Sequence, residues 1–177
     1  MHDLIILAGA PGSGKSTLGH GLKAALDGVY VDYGQLRKFH MDPFWIKKGD
    51  EEEALAFENL LFIIRNYLDK GWKPVIVSDI PLFRTPELAL LFRDRNASLL
   101  TLMVADEELA RRVELRDEGW KDLGRILEWN GQIKKSGLLP GEVRIDTTGL
   151  TREEAIAKAL GYLAEEGQGR ILRSTSG

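Results

Sequence analysis

The residues with the clearest chemical potential form a glycine-rich segment near the start of the chain, GAPGSGKST from Gly9 to Thr17. The segment matches the phosphate-binding pattern G-x-x-x-x-G-K-[ST] at every fixed position, with an apolar run before it and a helical pattern after it. Glycines let backbone amides approach phosphate oxygens, and the N-terminus of the following helix adds partial positive charge. We therefore expect a nucleoside triphosphate to bind to Gly9, Pro11, Gly12, Ser13, Gly14, Lys15, Ser16 and Thr17.

Two side chains of this loop and one carboxylate elsewhere are candidates for catalysis and metal binding. Lys15 is expected to reach the β- and γ-phosphates, and the Ser16 hydroxyl is expected to ligate Mg²⁺. Asp79 directly follows the apolar run Val75–Ser78, and a carboxylate after such a strand can hold Mg²⁺ through its water shell. The alternative for Asp79 is a cap of a loop or helix. The expected cofactors are ATP and Mg²⁺.

Two arginines four residues apart, Arg112 and Arg116, share one face of a predicted helix. Phosphoryl transfer places negative charge on the non-bridging oxygens, so cationic donors must surround the phosphate. We predict that Arg112 and Arg116 are catalytic residues that supply this charge from within the chain. The alternative is a solvated, charged helix face, and Arg111 and Arg125 fit either description.

Several short segments, taken in their order along the chain, resemble the nucleoside-monophosphate-kinase-like family, which includes adenylate kinase. Residues 33–37, YGQLR, resemble the acceptor segment T-G-D-x-x-R, with Tyr and Gln in place of the usual Thr and Asp. Residues 83–85, FRT, resemble F-P-R-T without its proline, and residues 112–116, RVELR, resemble the lid-entry segment e-R-l-x-x-R. Residues 79–82, DIPL, also resemble D-V-P-L-L of dephospho-coenzyme A kinases, so this region leaves the acceptor open.

The resemblance implies roles on the acceptor side. Arg37 and Arg84 would bind the phosphate of the acceptor or another anion, and Gln35 would belong to the same substrate-binding segment. Asp32 stands where related small-molecule kinases have a carboxylate, which could accept the proton of an acceptor hydroxyl. The alternatives are a turn or helix cap for Asp32 and a solvated surface position for Arg37.

The resemblance also implies an acceptor flap, a lid and contacts to the nucleotide. Arg112 would lie against the adenine or the phosphates, and Arg116 would contact the transferring phosphate. The lid is expected over about residues 116–125 and the flap over about residues 38–50. In the flap, Phe44 or a neighbouring aromatic side chain either stacks on an acceptor ring or packs into the core.

Strands and helices alternate along the chain, which predicts a three-layer α/β sandwich of the P-loop NTPase fold, a five-stranded parallel sheet with helices on both faces. The predicted strands are Leu4–Ala8, Val29–Asp32, Val75–Ser78, Leu99–Val104 and Val143–Ile145. The predicted helices are Ser16–Leu26, Glu51–Lys70 capped by Asp50, one opened by Thr85-Pro86, one capped by Asp106, Leu123–Ser136, and a last one from the Thr151/Glu154 capping box to near Gly167.

The composition limits the remaining possibilities. The 177 residues carry a net charge of −3 and no cysteine, which excludes disulfides and thiolate catalysis and disfavours, without excluding, a nucleic-acid acceptor. Residues 1–167 fit a single domain, followed by a polar, flexible tail over 168–177. No apolar stretch reaches the roughly 18–20 residues of a membrane span, and the apolar start indicates a buried strand rather than a signal peptide, so we expect a cytoplasmic protein. Monomer and homodimer both stay open.

These observations predict an ATP-dependent kinase acting on a small acceptor, and a nucleotide or nucleoside is the first hypothesis. The alternatives are a metabolite kinase of the shikimate, gluconate or dephospho-coenzyme A type and a kinase of polynucleotide ends or modified bases. A nucleotide-binding switch or regulatory ATPase is the alternative outside the kinases. A guanine-binding N/T-K-x-D string is absent from the sequence, and arginines within the chain favour transfer over switching.

Overall fold

The structure, a computed structural model, describes residues 2–39, 49–116 and 120–174, with the backbone alone for 166–174. In this part of the chain five strands form one sheet: β1 (Leu4–Gly9), β2 (Val29–Asp32), β3 (Val75–Ser78), β4 (Ala97–Met103) and β5 (Glu142–Asp146). The strand order is β2-β3-β1-β4-β5, and every neighbouring pair is parallel. The predicted five-stranded parallel sheet is therefore confirmed.

Helices connect the strands and cover the sheet. They are α1 (Lys15–Leu26), α2 (Tyr33–Arg37), α3 (Asp50–Asp69), α4 (Thr85–Leu91), α5 (Asp106–Leu115), α6 (Leu123–Lys135) and α7 (Arg152–Ser174). None of these helices, as far as the chain is described, combines the length and the apolar character needed to cross a membrane.

Each face of the sheet has its own apolar core, because successive side chains of a strand point to opposite faces. Leu4 and Ile6 of β1 pack in a cluster with residues of α3 and α4. Ile5 and Leu7 pack in a second cluster with residues of α1 and α7. The central strands β1, β3 and β4 are buried on both faces, as parallel strands usually are, whereas the edge strands β2 and β5 are mostly half-buried. The predicted three-layer sandwich is confirmed.

A third apolar cluster lies beyond the carboxyl end of the sheet. It joins Ala10 of the glycine-rich loop to Leu109 and Val113 of α5 and to Ile126 and Ile133 of α6. This packing holds α5 directly against the loop, so side chains on the adjoining face of α5 are positioned by the core.

Several helix ends differ from the sequence predictions. The predicted caps Asp50, Thr85 and Asp106 are instead the first residues of their helices, so each helix begins one residue earlier than predicted. Asp50 and Asp106 still stabilise their helices, because a negative charge in the first turn interacts favourably with the partial positive charge of the helix start. The capping box of Thr151 and Glu154 is confirmed by reciprocal hydrogen bonds of 2.8 and 3.2 Å.

The last helix ends later than predicted. α7 continues to Ser174, through the predicted end near Gly167 and into the segment predicted as a tail. A glycine within a helix costs only about 1 kcal/mol relative to alanine, and no proline follows it, so the two glycines in this region do not end the helix.

Candidate active site

The parallel sheet gathers the candidate residues at its carboxyl edge. β3 lies between β1 and β2, so the loop after β1 lies beside the residues that follow β3. Asp32 is in register with Ser78, the residue before Asp79. Ligands of open α/β sheets bind outside this edge, and the sequence-predicted residues of three strand ends meet there.

The glycine-rich loop has the backbone geometry of a phosphate cradle. Gly12 and Gly14 have φ values of 88° and 100°, a region that side chains other than glycine rarely adopt. A Cβ on Gly9 would lie 2.7 Å from the Ser13 Oγ, and a Cβ on Gly12 would lie 3.0 Å from a methyl group of Val113. Backbone conformation and lack of space therefore both select glycine, which leaves the loop amides accessible to an anion.

The Lys15 side chain is buried at this loop. Its Nζ donates hydrogen bonds to the carbonyl oxygens of Gly9 and Ala10, each at 3.0 Å, and lies 3.7 Å from the Asp79 Oδ1. Burial lowers the pKa of Lys15, although the charges of Asp79 and Asp32 oppose that shift. A bound phosphate would favour the charged ammonium, so anion binding and the protonation of Lys15 support each other.

Asp32 and Asp79 converge on one space above α2. A Cβ on Gly34 would lie 2.6 Å from the Asp79 Oδ2 and 3.1 Å from the Asp32 Oδ1. Burial and the neighbouring charge of Asp79 raise the pKa of Asp32, although backbone amides and Lys15 oppose the shift. The Asp32 carboxylate also accepts a hydrogen bond of 2.8 Å from the Gly34 amide and caps α2. The cap interpretation of Asp32 is thus confirmed, and it does not compete with a role as a base.

The oxygen atoms at this edge fit a magnesium ion that also binds phosphate. Asp79 has a left-handed backbone, with φ of 62°, which aspartate tolerates better than most residues. Its carboxylate is 48% exposed, and Ser16 is exposed at the start of α1. Mg²⁺ usually binds one or two carboxylates together with phosphate oxygens and water. Among the described residues, no group of three or more His, Asp or Glu side chains could hold a metal without such help.

Arg112 and Arg116 both lie at the loop, but their environments differ. Arg112 donates to the Glu108 carboxylate at 2.8 Å, to the Thr147 carbonyl at 2.8 Å and to the Ser13 carbonyl at 3.4 Å. It therefore joins α5, the end of β5 and the loop, and most of its donors are used within the protein.

Arg116 retains unused donors. Within the described residues its buried Nε and Nη2 have no hydrogen-bond partner, and a Cβ on Gly12 would lie 3.9 Å from its Nη1. Burial lowers the pKa of Arg116, although the charge of Asp79 opposes the shift. Buried guanidinium nitrogens without partners are costly, so these two donors are suited to an anion at the loop.

The two acceptor-side arginines are placed differently from each other. Arg84 donates to Glu53 at 2.8 Å and to Glu87 at 2.6 Å, and its guanidinium lies 4.6 Å from the centre of the Phe57 ring. These two carboxylates neutralise Arg84 and occupy its donors, so an acceptor anion would have to displace them. The Nε of Arg37 is buried and lacks a partner among the described residues, which leaves Arg37 the stronger candidate for an anion.

The remaining predicted positions are only partly described. Gln35 is exposed on α2, and Arg125 is exposed in the first turn of α6 rather than in a lid. Of the predicted flap, residues 40–48 lie outside the described residues, as do residues 117–119 of the predicted lid.

Sequence reasoning missed a network that fixes α2. The buried Tyr33 hydroxyl donates to the Glu53 carboxylate at 2.9 Å, and Glu53 in turn binds Arg84. In the sequence Tyr33 is only a departure from a family pattern. Its partner Glu53 is 20 residues away, so no spacing signals the contact.

A cleft of about 570 Å³ runs along the outer edge of β2. Asp32 and Gln35 line it together with apolar side chains that include Leu36, Ile63 and Tyr67. The described lining contains no lysine or arginine. The cleft is large enough for a small molecule and includes the carboxylate of Asp32 in its wall.

Together, the sheet order and the loop define a protein of the P-loop NTPase fold. The chain belongs to the AAA domain family (AAA_18), whose model matches residues 5–128. The comparison with curated protein sequences returned no match.

Solved structures of several kinases share the fold over almost the whole chain. A gluconokinase from Sinorhizobium meliloti 1021 has 16% identity and a TM-score of 0.73, with 96% of each chain covered. An unliganded sugar kinase from Janibacter sp. HTCC2649 has 19% identity and a TM-score of 0.66, with 93% of this chain and 95% of that chain covered. Shikimate kinase from Bacteroides thetaiotaomicron has 17% identity and a TM-score of 0.65, with 93% and 99% covered. At these identities the likeness shows the fold, and the narrower resemblance to nucleoside-monophosphate kinases stays a prediction.

The different environments of the two arginines predict different outcomes of their removal. Arg116→Ala should lower the rate of phosphoryl transfer by about 10²–10³, as for other donors to developing charge, without lowering the melting temperature. Arg112→Ala should destabilise the fold by about 1.5–3 kcal/mol, because it removes charge-assisted hydrogen bonds. Denaturant unfolding and ATP turnover measured on both variants check this; equal effects on stability would contradict the distinction.

Proposed function

We propose that this chain transfers the γ-phosphoryl group of ATP, with Mg²⁺, to a hydroxyl group of a small, uncharged molecule such as a nucleoside. The observation that carries the proposal is the placement of a half-buried carboxylate, Asp32, beside Asp79 and Lys15 at the phosphate cradle. A hydroxyl acceptor needs a base at this position, whereas a phosphate acceptor carries no such proton at neutral pH.

The cations of the chain support the donor half of the reaction. Lys15 and Arg116 lie at the loop, and the unpaired donors of Arg116 suit charge on the transferring phosphate. Bound Mg²⁺ would neutralise charge on the β- and γ-phosphate oxygens, with Ser16 and Asp79 as its protein-side ligands. The loop amides and Lys15 would hold the β- and γ-phosphates in place.

Asp32 would accept the hydroxyl proton as the acceptor oxygen bonds to the γ-phosphorus and ADP leaves. Its raised pKa makes the carboxylate a stronger base than an exposed aspartate. Asp32 would thus take the proton, and the cradle with its metal ion would hold the ADP that leaves.

The charges near the acceptor position favour an uncharged acceptor over a nucleoside monophosphate. Asp32 and Asp79 face the same space and would repel an acceptor phosphate, and Arg84 is already neutralised by Glu53 and Glu87. Of the two predicted acceptor-side arginines, only Arg37 keeps a buried donor without a described partner. The cleft beside Asp32 offers apolar and aromatic surface, without a cation in its described lining. The kinase structures that share the fold include enzymes named for gluconate, shikimate and sugar acceptors, so metabolite hydroxyls are the nearest alternative.

A second candidate is an ATPase without an acceptor, which the AAA domain family name favours. Ring-forming motor ATPases complete their site with an arginine from a neighbouring subunit. Here Arg112 and Arg116 approach the loop from the same chain, which favours transfer by a single chain. The two functions differ in whether an acceptor stimulates ADP release.

The acceptor class is tested by a coupled assay of ADP release with matched panels of nucleosides, neutral polyols, sugar acids and nucleoside monophosphates. We expect at least one uncharged hydroxyl compound to stimulate ADP release, with transfer of ³²P from γ-labelled ATP to that compound, and we expect Lys15→Ala to abolish the signal. Stimulation by monophosphates alone would contradict the hydroxyl assignment. Hydrolysis that no acceptor changes would favour the ATPase.

The base is tested by Asp32→Asn. We expect the turnover rate to fall by about 10²–10⁴ because the amide cannot accept the hydroxyl proton. The Asn oxygen can still cap α2, and the raised pKa means that the carboxylate charge is disfavoured in the folded state at neutral pH. The melting temperature should therefore be unchanged or higher.

The pH profile gives an independent check of the same residue. In the wild type, activity should fall with acidity as Asp32 is protonated, with a midpoint above the ordinary aspartate value of 3.8. The residual activity of Asp32→Asn should not show this fall at low pH. A variant with the wild-type rate would show that Asp32 is a cap and nothing more.

A further inference from the structure

Tyr30 of β2 is held in a single place by its neighbours. Its ring occupies the space beside Gly19 of α1, where a Cβ would lie 2.3 Å from the Tyr30 Cε2. The ring of His20 contacts it edge to face, with centroids 4.6 Å apart. A glycine inside a helix is unfavourable, so the lack of a side chain at Gly19 is best explained by the room that this ring needs.

The Tyr30 hydroxyl lies between two parts of the phosphate site. It makes a hydrogen bond of 2.7 Å to the Oγ of Ser78, which is fully buried and precedes Asp79. The side chain of Ser16, the residue of α1 that follows Lys15 and precedes Gly19 by one helical turn, lies near the same hydroxyl. The phenol thus lies between the two segments that carry the candidate magnesium ligands, and it is bonded to the one that precedes Asp79.

A serine hydroxyl that binds a cation has a definite hydrogen-bonding requirement. Its oxygen must direct a lone pair to the metal, and its proton then needs an acceptor on the other side. The Tyr30 oxygen can accept the Ser16 proton while its own proton goes to the Ser78 Oγ.

We infer that Tyr30 is a positioning residue for magnesium binding: its hydroxyl orients the Ser16 hydroxyl toward the metal and ties it, through Ser78, to the strand end that carries Asp79. The inference rests on the proposed function only in requiring that ATP binds with Mg²⁺, and not on the acceptor. Groups that orient metal ligands typically change metal affinity or activity by about 10–100-fold when removed.

Tyr30→Phe separates this role from packing. The variant keeps the ring that fills the space beside Gly19 and loses only the hydroxyl. Tyr162→Phe is the matched control, because Tyr162 packs in the core between the sheet and α7 and has the same atom removed. Ser78→Ala deletes the same link from its other end and serves as a second variant if Tyr30→Phe does not fold.

The experiment measures ATP binding by calorimetry across a series of Mg²⁺ concentrations and in EDTA, without any acceptor. For Tyr30→Phe we expect the Mg²⁺ concentration at half-maximal enhancement to rise about 10-fold or more, with ATP affinity in EDTA unchanged. Tyr162→Phe should match the wild type at every Mg²⁺ concentration.

Three results would overturn the inference. In the first, Tyr30→Phe has the same Mg²⁺ dependence of ATP binding as the wild type. In the second, Tyr30→Phe loses the same ATP affinity with and without Mg²⁺. In the third, ATP binding by the wild-type protein does not change with Mg²⁺ concentration. Failure of the proposed kinase function is a separate result, since it would show as missing acceptor-dependent ADP release in a protein that still binds ATP with Mg²⁺.

Discussion

The structure depends on positive charge that is buried at a glycine-rich loop and that the protein balances only in part, through the Asp79 carboxylate 3.7 Å from the Lys15 ammonium. Lys15 is buried with its ammonium turned to two loop carbonyls, and Arg116 has buried donors that no described residue accepts. Removing such groups from water is costly unless hydrogen bonds and opposite charge compensate. The packing of Ala10 with α5 and α6 imposes this arrangement, because it fixes Arg116 beside the loop. The triphosphate of the proposed function would supply the remaining negative charge at this point.

The opposite sign of charge dominates the neighbouring strand ends. Asp32 and Asp79 converge above Gly34, and the Tyr33–Glu53–Arg84 network holds α2 against α3 and the start of α4. Burial raises the pKa of Glu53, but hydrogen bonds from Arg84 and Tyr33 together bring it below its usual range, so this carboxylate stays ionised in the network. A cationic region at the loop and an acidic region at Asp32 and Asp79 lie next to each other, which is the arrangement that the proposed transfer of a phosphoryl group to a hydroxyl requires.

Much of the fold and the donor half of the site could be predicted from the sequence, because local patterns specify them. The loop of Gly9 to Thr17 lies after a buried strand as predicted, and both Arg112 and Arg116 lie at the loop. The prediction that they share one helix face was wrong, because α5 ends at Leu115 and Arg116 follows it in an extended conformation. The different environments of those two arginines could not be predicted, since Thr147 and Ser13 are far from them in sequence. The pairing of Arg84 with Glu53 and the contact of Tyr30 with Ser78 span 31 and 48 residues, and only the folded sheet brings such residues together.

The most direct test of the central claim is a calorimetric titration of the purified chain with ATP in the presence of Mg²⁺, beside Lys15→Met. We expect the wild type to bind one ATP per chain. The variant should keep its melting temperature and lose about 1.5–3 kcal/mol or more of ATP-binding free energy, which is the contribution of one charge-assisted hydrogen bond. Equal binding by both proteins, or no binding by either, would contradict the view that this loop and its buried cations exist to hold a triphosphate.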